Sequence, residues 1–236
     1  NQSIWQTTLE KDDATVKRFD EPEALQKVLD AARASQKREH MYAAAADAGK
    51  GNPTLAELVS ATAKDVKAWL DKKKVEVNKE GRRVLNAEQF KAVEKVALRV
   101  MQELRHAANG KGDFGEPLRW LVHGGPGTGK SHVIKQIKEL FKEVLKWDTG
   151  VEYQVVALQA VMADQLGGDT IHHACGIPVY KRGQPAQQTS KNQMEIAKRI
   201  LQWRWLIIDE ISMVSAKLFA EIDAKLRGLV REVGRQ

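Results

Sequence analysis

Apolar residues recur along much of the chain at the 3.6-residue spacing of amphipathic helices. The ranges predicted to be helical are 20–48, 54–74, 84–107, 130–145 and 215–230. The apolar face is longest in the third of these, where it consists of Phe90, Val93, Val96, Ala97, Val100, Met101 and Leu104. Glycine, asparagine and proline separate the first two ranges, because these residues end helices. The chain is therefore expected to begin with a helical segment.

Three short apolar runs, at 118–122, 152–158 and 203–209, predict β-strands. The first leads into a glycine-rich stretch, and the last ends on acidic residues. The run at 203–209 is apolar enough for a strand buried on both faces of a parallel sheet. Strands that alternate with helices predict an α/β fold, with a parallel sheet flanked by helices after the helical N-terminal segment.

The net charge and the cysteine content indicate which kinds of partner and which cellular compartment are expected. The formal net charge of +7 weakly favours a polyanionic partner such as nucleic acid. The Lys72–Lys74 run is expected to be a solvated helix end, with a DNA-contacting patch as the alternative. A single cysteine, Cys175, fits a reducing compartment. With no run of 18 apolar residues and no signal-peptide pattern, an intracellular protein without a membrane partner is expected, in the nucleus or mitochondrion of a eukaryote or in the cytoplasm otherwise.

The stretch GGPGTGKS at 124–131 matches the phosphate-binding pattern G-x-x-x-x-G-K-[ST]. Glycines let the backbone N–H groups turn towards phosphate oxygens, and the following helix adds its positive N-terminus. Lys130 is predicted to reach the terminal phosphates and Ser131 to hold Mg²⁺. The nucleotide-binding residues predicted in this stretch are Gly124, Gly125, Pro126, Gly127, Thr128, Gly129, Lys130, Ser131 and His132. The pattern predicts a P-loop site for a nucleoside triphosphate.

Two acids follow the apolar run near residue 208. Asp209 is predicted to hold Mg²⁺, and Glu210 to activate the attacking water as the catalytic base. Regulatory GTPases show D-x-x-G at this place, and transporter ATPases show a serine-glycine-glycine signature before it. The chain has neither, so ATP with Mg²⁺ is the predicted ligand.

The order of these motifs along the chain resembles that of the Pif-type and RecD-like DNA helicases of superfamily 1. The resemblance covers about residues 84–233. It depends on the stretches LNAEQ (85–89), GGPGTGKS, VVALQAVMADQLGGDTIHHACGI (155–177) and LIIDEISMVSAKLF (206–219). It implies a RecA-like domain at 84–236, preceded by an accessory helical segment at 1–83. The activity it implies is ATP-driven 5′ to 3′ movement on single-stranded DNA with unwinding at duplex junctions, in repair, recombination or telomere maintenance.

The resemblance also implies roles for single residues. Gln89 would contact adenine, although Asn86 and Gln89 also have the spacing of a helix capping box. Gln159, Thr170 and His172 would lie near single-stranded DNA. At 158–160 the chain has Leu-Gln-Ala where the family usually has Pro-Thr-Gly, which narrows the approach to a DNA phosphate.

Other residues in this part of the chain have competing interpretations. His172, His173 and Cys175 suggest zinc, but no second Cys or His pair lies nearby in the sequence. Trp203 and Trp205 are expected to pack against helices, with base stacking as the alternative.

The sequence stops 26 residues after Glu210, before the later motifs of such helicases. A second RecA-like domain is therefore expected to lie outside this chain, and a monomer is expected. Two alternatives to a helicase fragment stay open. One is a stand-alone nucleotide-binding module or degenerate remnant, and the other is an AAA+ ATPase such as a helicase loader.

Overall fold

The computed structural model describes residues 59–109, 116–178 and 190–232, together with Met41. In the last of these ranges, side chains are described for residues 195–228. Apart from Met41, which is helical, the helix predicted over 20–48 lies outside the described residues.

In these ranges, helices surround a small sheet. The helices are α1 (Ala63–Val75), α2 (Ala87–Ala108), α3 (Lys130–Glu139), α4 (Ala160–Gln165), α5 (Ile171–Cys175), α6 (Ser190–Gln202) and α7 (Ala216–Glu232). The strands are β1 (Tyr153–Ala157), β2 (Asp169–Thr170) and β3 (Trp205–Ile208). A π-helical turn (Leu140–Val144) extends α3, and a 3₁₀ turn (Ile211–Met213) follows β3. The predicted α/β fold is confirmed.

The three strands are parallel and lie in the order β2-β1-β3. Ala157 at the end of β1 pairs with Thr170 at the end of β2, and Val156 pairs with Ile208 at the end of β3. The carboxyl ends of all three strands therefore meet at one edge of the sheet, which is where parallel α/β sheets place ligand-binding residues.

The strand predicted at 118–122 is wrong, because these residues form no strand and lie beside α2 instead. Arg99 of α2 donates a hydrogen bond to the carbonyl of Glu116 (3.1 Å), and the Lys95 ammonium lies 5.1 Å from the centre of the Trp120 ring. These contacts take the place of ladder hydrogen bonds. The four residues of β3 are each half-buried, so the strand is less buried than the apolar run predicts, and among the described strands it pairs only with β1.

The helix predicted from residue 54 begins only at Ala63 within the described residues. The backbone N–H and hydroxyl of Thr62 both donate to the Asp65 carboxylate at 2.7 Å. This arrangement satisfies polar groups just ahead of the first helical turn, which fixes the start of α1 at this point.

One apolar core joins α1, α2, α3 and β1. Val66 and Leu70 of α1 are buried against the apolar face predicted for α2. At the end of α3, the Phe141 ring lies 5.0 Å from that of Tyr153 and 5.5 Å from that of Trp205, measured between ring centres. The Trp203 indole donates to the carbonyl of Gly150 at 3.2 Å, and the side chain packs against a second apolar cluster that includes Leu218 and Ile222 of α7. Both tryptophans therefore pack against helical residues, as predicted.

The Lys72–Lys74 run is not uniformly solvated, because the Lys73 side chain is only 4% exposed. Its ammonium lies 2.7 Å from the Glu76 carboxylate and 2.6 Å from that of Glu139, at the end of α3. Burial alone would lower the pKa of Lys73, but the two carboxylates outweigh it, so the pKa is raised above 10.5. On the alkaline side, the contribution of the Lys73 ammonium to stability is therefore complete below about pH 10.5 and is lost as the pH rises past the folded-state pKa.

Replacement of Lys73 by methionine is expected to lower the free energy of unfolding by about 1–3 kcal/mol, because it leaves two neighbouring carboxylates without a counter-ion. A thermal melt at pH 7 should show a drop of roughly 3–10 °C. Lys67→Met on the same helix is the matched control. Its ion pair with Asp71 is more than half exposed, so it should change the stability by less than about 0.5 kcal/mol. Equal melting temperatures for the two variants would contradict this expectation.

Candidate nucleotide-binding site

The glycine-rich stretch forms a loop that ends at the first residue of α3. Gly127 and Gly129 have φ angles of +73° and +83°, in the left-handed region that glycine adopts without strain. Gly129 is also the N-cap of α3, which begins at Lys130 as the motif predicts. These two turns bring the backbone from the loop into the helix with the N–H groups of the first helical turn facing the loop.

The N-terminus of α3 is left open to an anion. No side chain caps it, and its first turn has no acidic residue. In α2, by contrast, the Asn86 side chain accepts a hydrogen bond from the N–H of Gln89 at 2.9 Å. Uncapped N–H groups and the positive end of the helix dipole favour phosphate binding. The start of α3 therefore fits a triphosphate, as the motif requires.

Lys130 folds back over the loop. Its ammonium donates to the carbonyl of Gly124 at 2.9 Å and to that of Gly125 at 3.1 Å. The Thr128 hydroxyl also donates to the Gly125 carbonyl, at 2.9 Å. The ammonium is thus held at the mouth of the loop by uncharged acceptors, which phosphate oxygens would outcompete as partners for a charged donor. Ser131 follows it directly and is exposed.

Gln89 is bound to both the helix start and the loop. Its side-chain carbonyl accepts from the N–H of Asn86 at 3.0 Å, and its amide donates to the carbonyl of Thr128 at 3.0 Å. The capping box is therefore present, and adenine contact stays a prediction. A cavity of about 420 Å³ next to Gln89 is also lined by Trp120, His123 and Lys130, among others. It offers space for a base beside the phosphate loop.

The left-handed backbone explains why position 129 is glycine. Its positive φ angle would strain the backbone of any other residue. A Cβ atom here would also meet the amide nitrogen at the end of the Gln89 side chain, which would have to shift. The glycine therefore lets the loop enter α3 without strain while it stays close to Gln89 of α2.

Asp209 lies at the carboxyl end of β3, where its N–H donates to the carbonyl of Val156 at 2.8 Å. Its side chain is buried, and this burial is the main cause of a raised pKa. The neighbouring charge of Glu210 raises the pKa further, while the charge of Lys130 lowers it. Lys130 and Asp209 are therefore close enough to interact electrostatically, as a shared phosphate and Mg²⁺ site requires. Glu210 is half-buried with a φ angle of +48°.

Asp209→Asn is expected to raise the melting temperature at pH 7–8, by about 2–4 °C for each kcal/mol gained, because it removes the cost of burying a charge. The folded-state pKa lies above the unfolded value of 3.8. The wild-type chain therefore loses stability as the pH rises through the folded-state pKa, and the gap between the two proteins should close near pH 4. Asp164→Asn, on the exposed side of α4, is the control and should leave the melting temperature unchanged. A less stable Asp209→Asn variant at pH 8 would contradict this account.

The residues predicted to lie near DNA follow the other two strands. Gln159 is exposed at the N-cap of α4, directly after β1. Thr170 ends β2, and its hydroxyl accepts from the N–H of His173 at 3.3 Å. His172 is half-buried in the short helix α5. Gln159 and Thr170 therefore share the sheet edge of Asp209, while their contact with DNA stays a prediction.

The geometry near Cys175 favours a structural role. The thiol is buried, which raises its pKa to about 11 and keeps it protonated. His173 is instead paired with the Asp169 carboxylate. The part of the chain that the structure describes contains no group of three His, Cys, Asp or Glu side chains arranged to hold a metal ion.

Sequence reasoning missed one contact of the loop. The Nε2 atom of His132 lies 3.1 Å from the carbonyl oxygen of Val84, so the ring is bonded to the backbone just before α2. The acceptor is a backbone atom 48 positions away, and the identity of Val84 gives no signal for it. Such a contact becomes visible only in three dimensions.

A parallel sheet, a P-loop at the start of a helix and an acid at the end of a neighbouring strand define the class of P-loop NTPase domains with a RecA-like fold. The sequence model of the PIF1-like helicases matches residues 84–236. Since this is more than half of the chain, the chain belongs to the PIF1-like helicase family. The recognition made from the motifs is thereby confirmed.

Individual relatives agree with this assignment. The chain is 32% identical over 114 residues to the ATP-dependent DNA helicase PIF1 of Emericella nidulans, a match that covers 48% of this chain and 15% of that protein. It is 28% identical over 107 residues to the ATP-dependent DNA helicase PIF3 of Trypanosoma brucei brucei, covering 45% and 12%. A third relative, the ATP-dependent DNA helicase PIF1 of the same trypanosome, is 26% identical over 106 residues, covering 45% and 10%. The matched part is thus a small fraction of each relative.

No helix among the described residues is long and apolar enough to cross a membrane. The boundary after residue 83 and the intracellular location stay predictions.

Proposed function

We propose that this chain binds and hydrolyses ATP as the first motor domain of an ATP-dependent DNA helicase that moves 5′ to 3′ on single-stranded DNA. The observation that carries the proposal is the pairing of an open P-loop at α3 with Asp209 at the end of β3, in a chain of the PIF1-like helicase family. Family membership favours this proposal over the AAA+ alternative. The names of the three relatives point to the same activity.

The proposed chemistry assigns one task to each residue. Lys130 and the N–H groups at the start of α3 bind the β- and γ-phosphates, and Gln89 contacts adenine. Ser131 and Asp209 hold Mg²⁺, which neutralises charge on the phosphates when bound. Glu210 accepts a proton from the water that attacks the γ-phosphorus. The bond from that phosphorus to the β–γ bridging oxygen breaks, so that ADP and inorganic phosphate leave.

DNA binding is proposed at the carboxyl edge of the sheet, where Gln159 and Thr170 follow β1 and β2. His172, next in the chain, would contribute a polar contact. A strand of DNA at this edge would lie next to the nucleotide site, so ATP hydrolysis would change the affinity of the domain for the DNA. A second RecA-like domain is proposed to close on the same edge and to supply the arginine that stabilises charge on the γ-phosphate.

The experiment that tests the proposal measures Mg²⁺-ATP binding and ATP turnover by the 236-residue chain, with and without single-stranded DNA. Binding together with DNA-stimulated turnover would support a motor domain. Binding without turnover, in the presence and absence of DNA, would support the stand-alone nucleotide-binding module instead. No nucleotide binding would contradict both functions.

A further inference from the structure

The segment that leads into the matched family region contacts the P-loop helix at both of its ends. We define this lead-in segment as residues 59–84, which contain α1 and the turn after it and end on Val84, the first residue of the matched region. At the start of α3, His132 is bonded to the carbonyl of Val84 (3.1 Å). At the end of α3, Glu139 is paired with the buried ammonium of Lys73 (2.6 Å). The two contacts are seven residues apart, which is about two helical turns, so both lie on one face of α3.

The lead-in segment is itself braced by local hydrogen bonds. The N–H of Val84 donates to the carbonyl of Glu76 at 3.0 Å, and Val77 and Arg83 form an antiparallel bridge. The Arg83 guanidinium donates to the carbonyl of Lys74 at 2.8 Å. The acceptor that His132 uses is thus attached to the end of α1, whose apolar side chains are buried in the common core.

A second hydrogen bond joins the same two parts of the chain, with its donor on the opposite side. The Gln89 amide donates to the carbonyl of Thr128 in the loop, while His132 donates from the helix to Val84. Residues 84–89 therefore hold the backbone on both sides of Lys130 and Ser131. Fixing these two flanks fixes the direction of the N–H groups and side chains that face the phosphates, because a displacement of about 1 Å at such a site already weakens its function.

We propose that the lead-in segment positions the P-loop helix for nucleotide binding, and that His132 is the positioning residue that transmits this support to the loop. The proposal rests on the proposed function, since it assumes that the loop binds a nucleotide. It assigns a role in the ATP site to α1 and the turn after it, which lead into the matched family region at 84–236 and carry Val84.

The test compares His132→Phe, which keeps an aromatic ring but has no donor, with His132→Gln, whose amide can still donate to Val84. Affinity for a fluorescent ATP analogue with Mg²⁺ is measured on the 236-residue chain, well below each melting temperature. The Phe variant should bind about three- to tenfold more weakly, the typical value of one hydrogen bond. The Gln variant should stay within about twofold of wild type. If turnover is measurable, KM should rise in the Phe variant while kcat stays unchanged.

The outcomes separate this proposal from the function on which it rests. Wild-type affinity in the Phe variant, or equal loss in both variants, would overturn the positioning role and leave ATP binding intact. A wild-type chain that binds no nucleotide would overturn both. If the Phe variant does not fold, His132→Asn takes its place. The asparagine side chain is one methylene shorter than that of glutamine, so its amide should not reach the Val84 carbonyl.

Discussion

Replacing Lys130 by alanine is expected to abolish ATP turnover and to weaken Mg²⁺-ATP binding at least tenfold, to judge by the strength of charged hydrogen bonds. The ammonium lies at the mouth of the loop on the carbonyls of Gly124 and Gly125, where the phosphates would be bound. Loss of a group that stabilises developing charge typically lowers kcat by about 10²–10³.

The measurement is an ATP titration followed by an ATPase assay with single-stranded DNA, on a chain that also carries the proposed second domain. Lys135→Ala is the matched control, because Lys135 is an exposed lysine on the same helix α3. The control should keep wild-type binding and turnover. Normal turnover in the Lys130→Ala variant would refute the assignment of the P-loop.

Glu210→Gln is expected to separate binding from hydrolysis. Glutamine has the same shape but cannot accept the proton of the attacking water, so kcat should fall by about 10²–10⁴. Binding should stay within about threefold of wild type, because the residue is not expected to contact the phosphates in the ground state. The φ angle of +48° at this position strains the backbone of glutamate and glutamine alike. The substitution should therefore change the chemistry of the side chain and not the backbone.

Glu143→Gln, an exposed carboxylate in the turn after α3, is the control for this change in charge. It should alter neither affinity nor turnover. Because the Glu210→Gln variant should retain ATP, single-turnover experiments should show bound, uncleaved nucleotide. A variant that turns over ATP at the wild-type rate would show that another group is the base.

The helices α1, α2, α3 and α7 were predicted from sequence because each has a periodic apolar face, whereas α4, α5 and α6 were not predicted. The apolar face of α2, the start of α3 at Lys130 and the strand that ends just before Asp209 all have short-range signals in periodicity and motif spacing. Gln89 had two interpretations, and its capping geometry is present while its adenine contact awaits measurement. Local patterns thus name candidate site residues, while their contacts depend on the rest of the fold.

What the sequence could not predict depends on long-range neighbours. The run at 118–122 has the composition of a buried strand, but a strand forms only where a partner accepts its hydrogen bonds, and here α2 holds the run through Glu116 and Trp120. Lys73 looks like part of a solvated run, yet Glu139 lies 66 positions away in sequence and 2.6 Å away in space. No periodicity encodes such pairs.

The burial of α1 against α2 has a consequence for how this protein is divided. The match to the family model begins at residue 84, whereas the core continues back to Val59. The stretch that identifies a family therefore need not coincide with a unit of folding, which must cover its own apolar surface. A recombinant fragment cut at residue 84 would expose the face of α2 that Val66 and Leu70 cover.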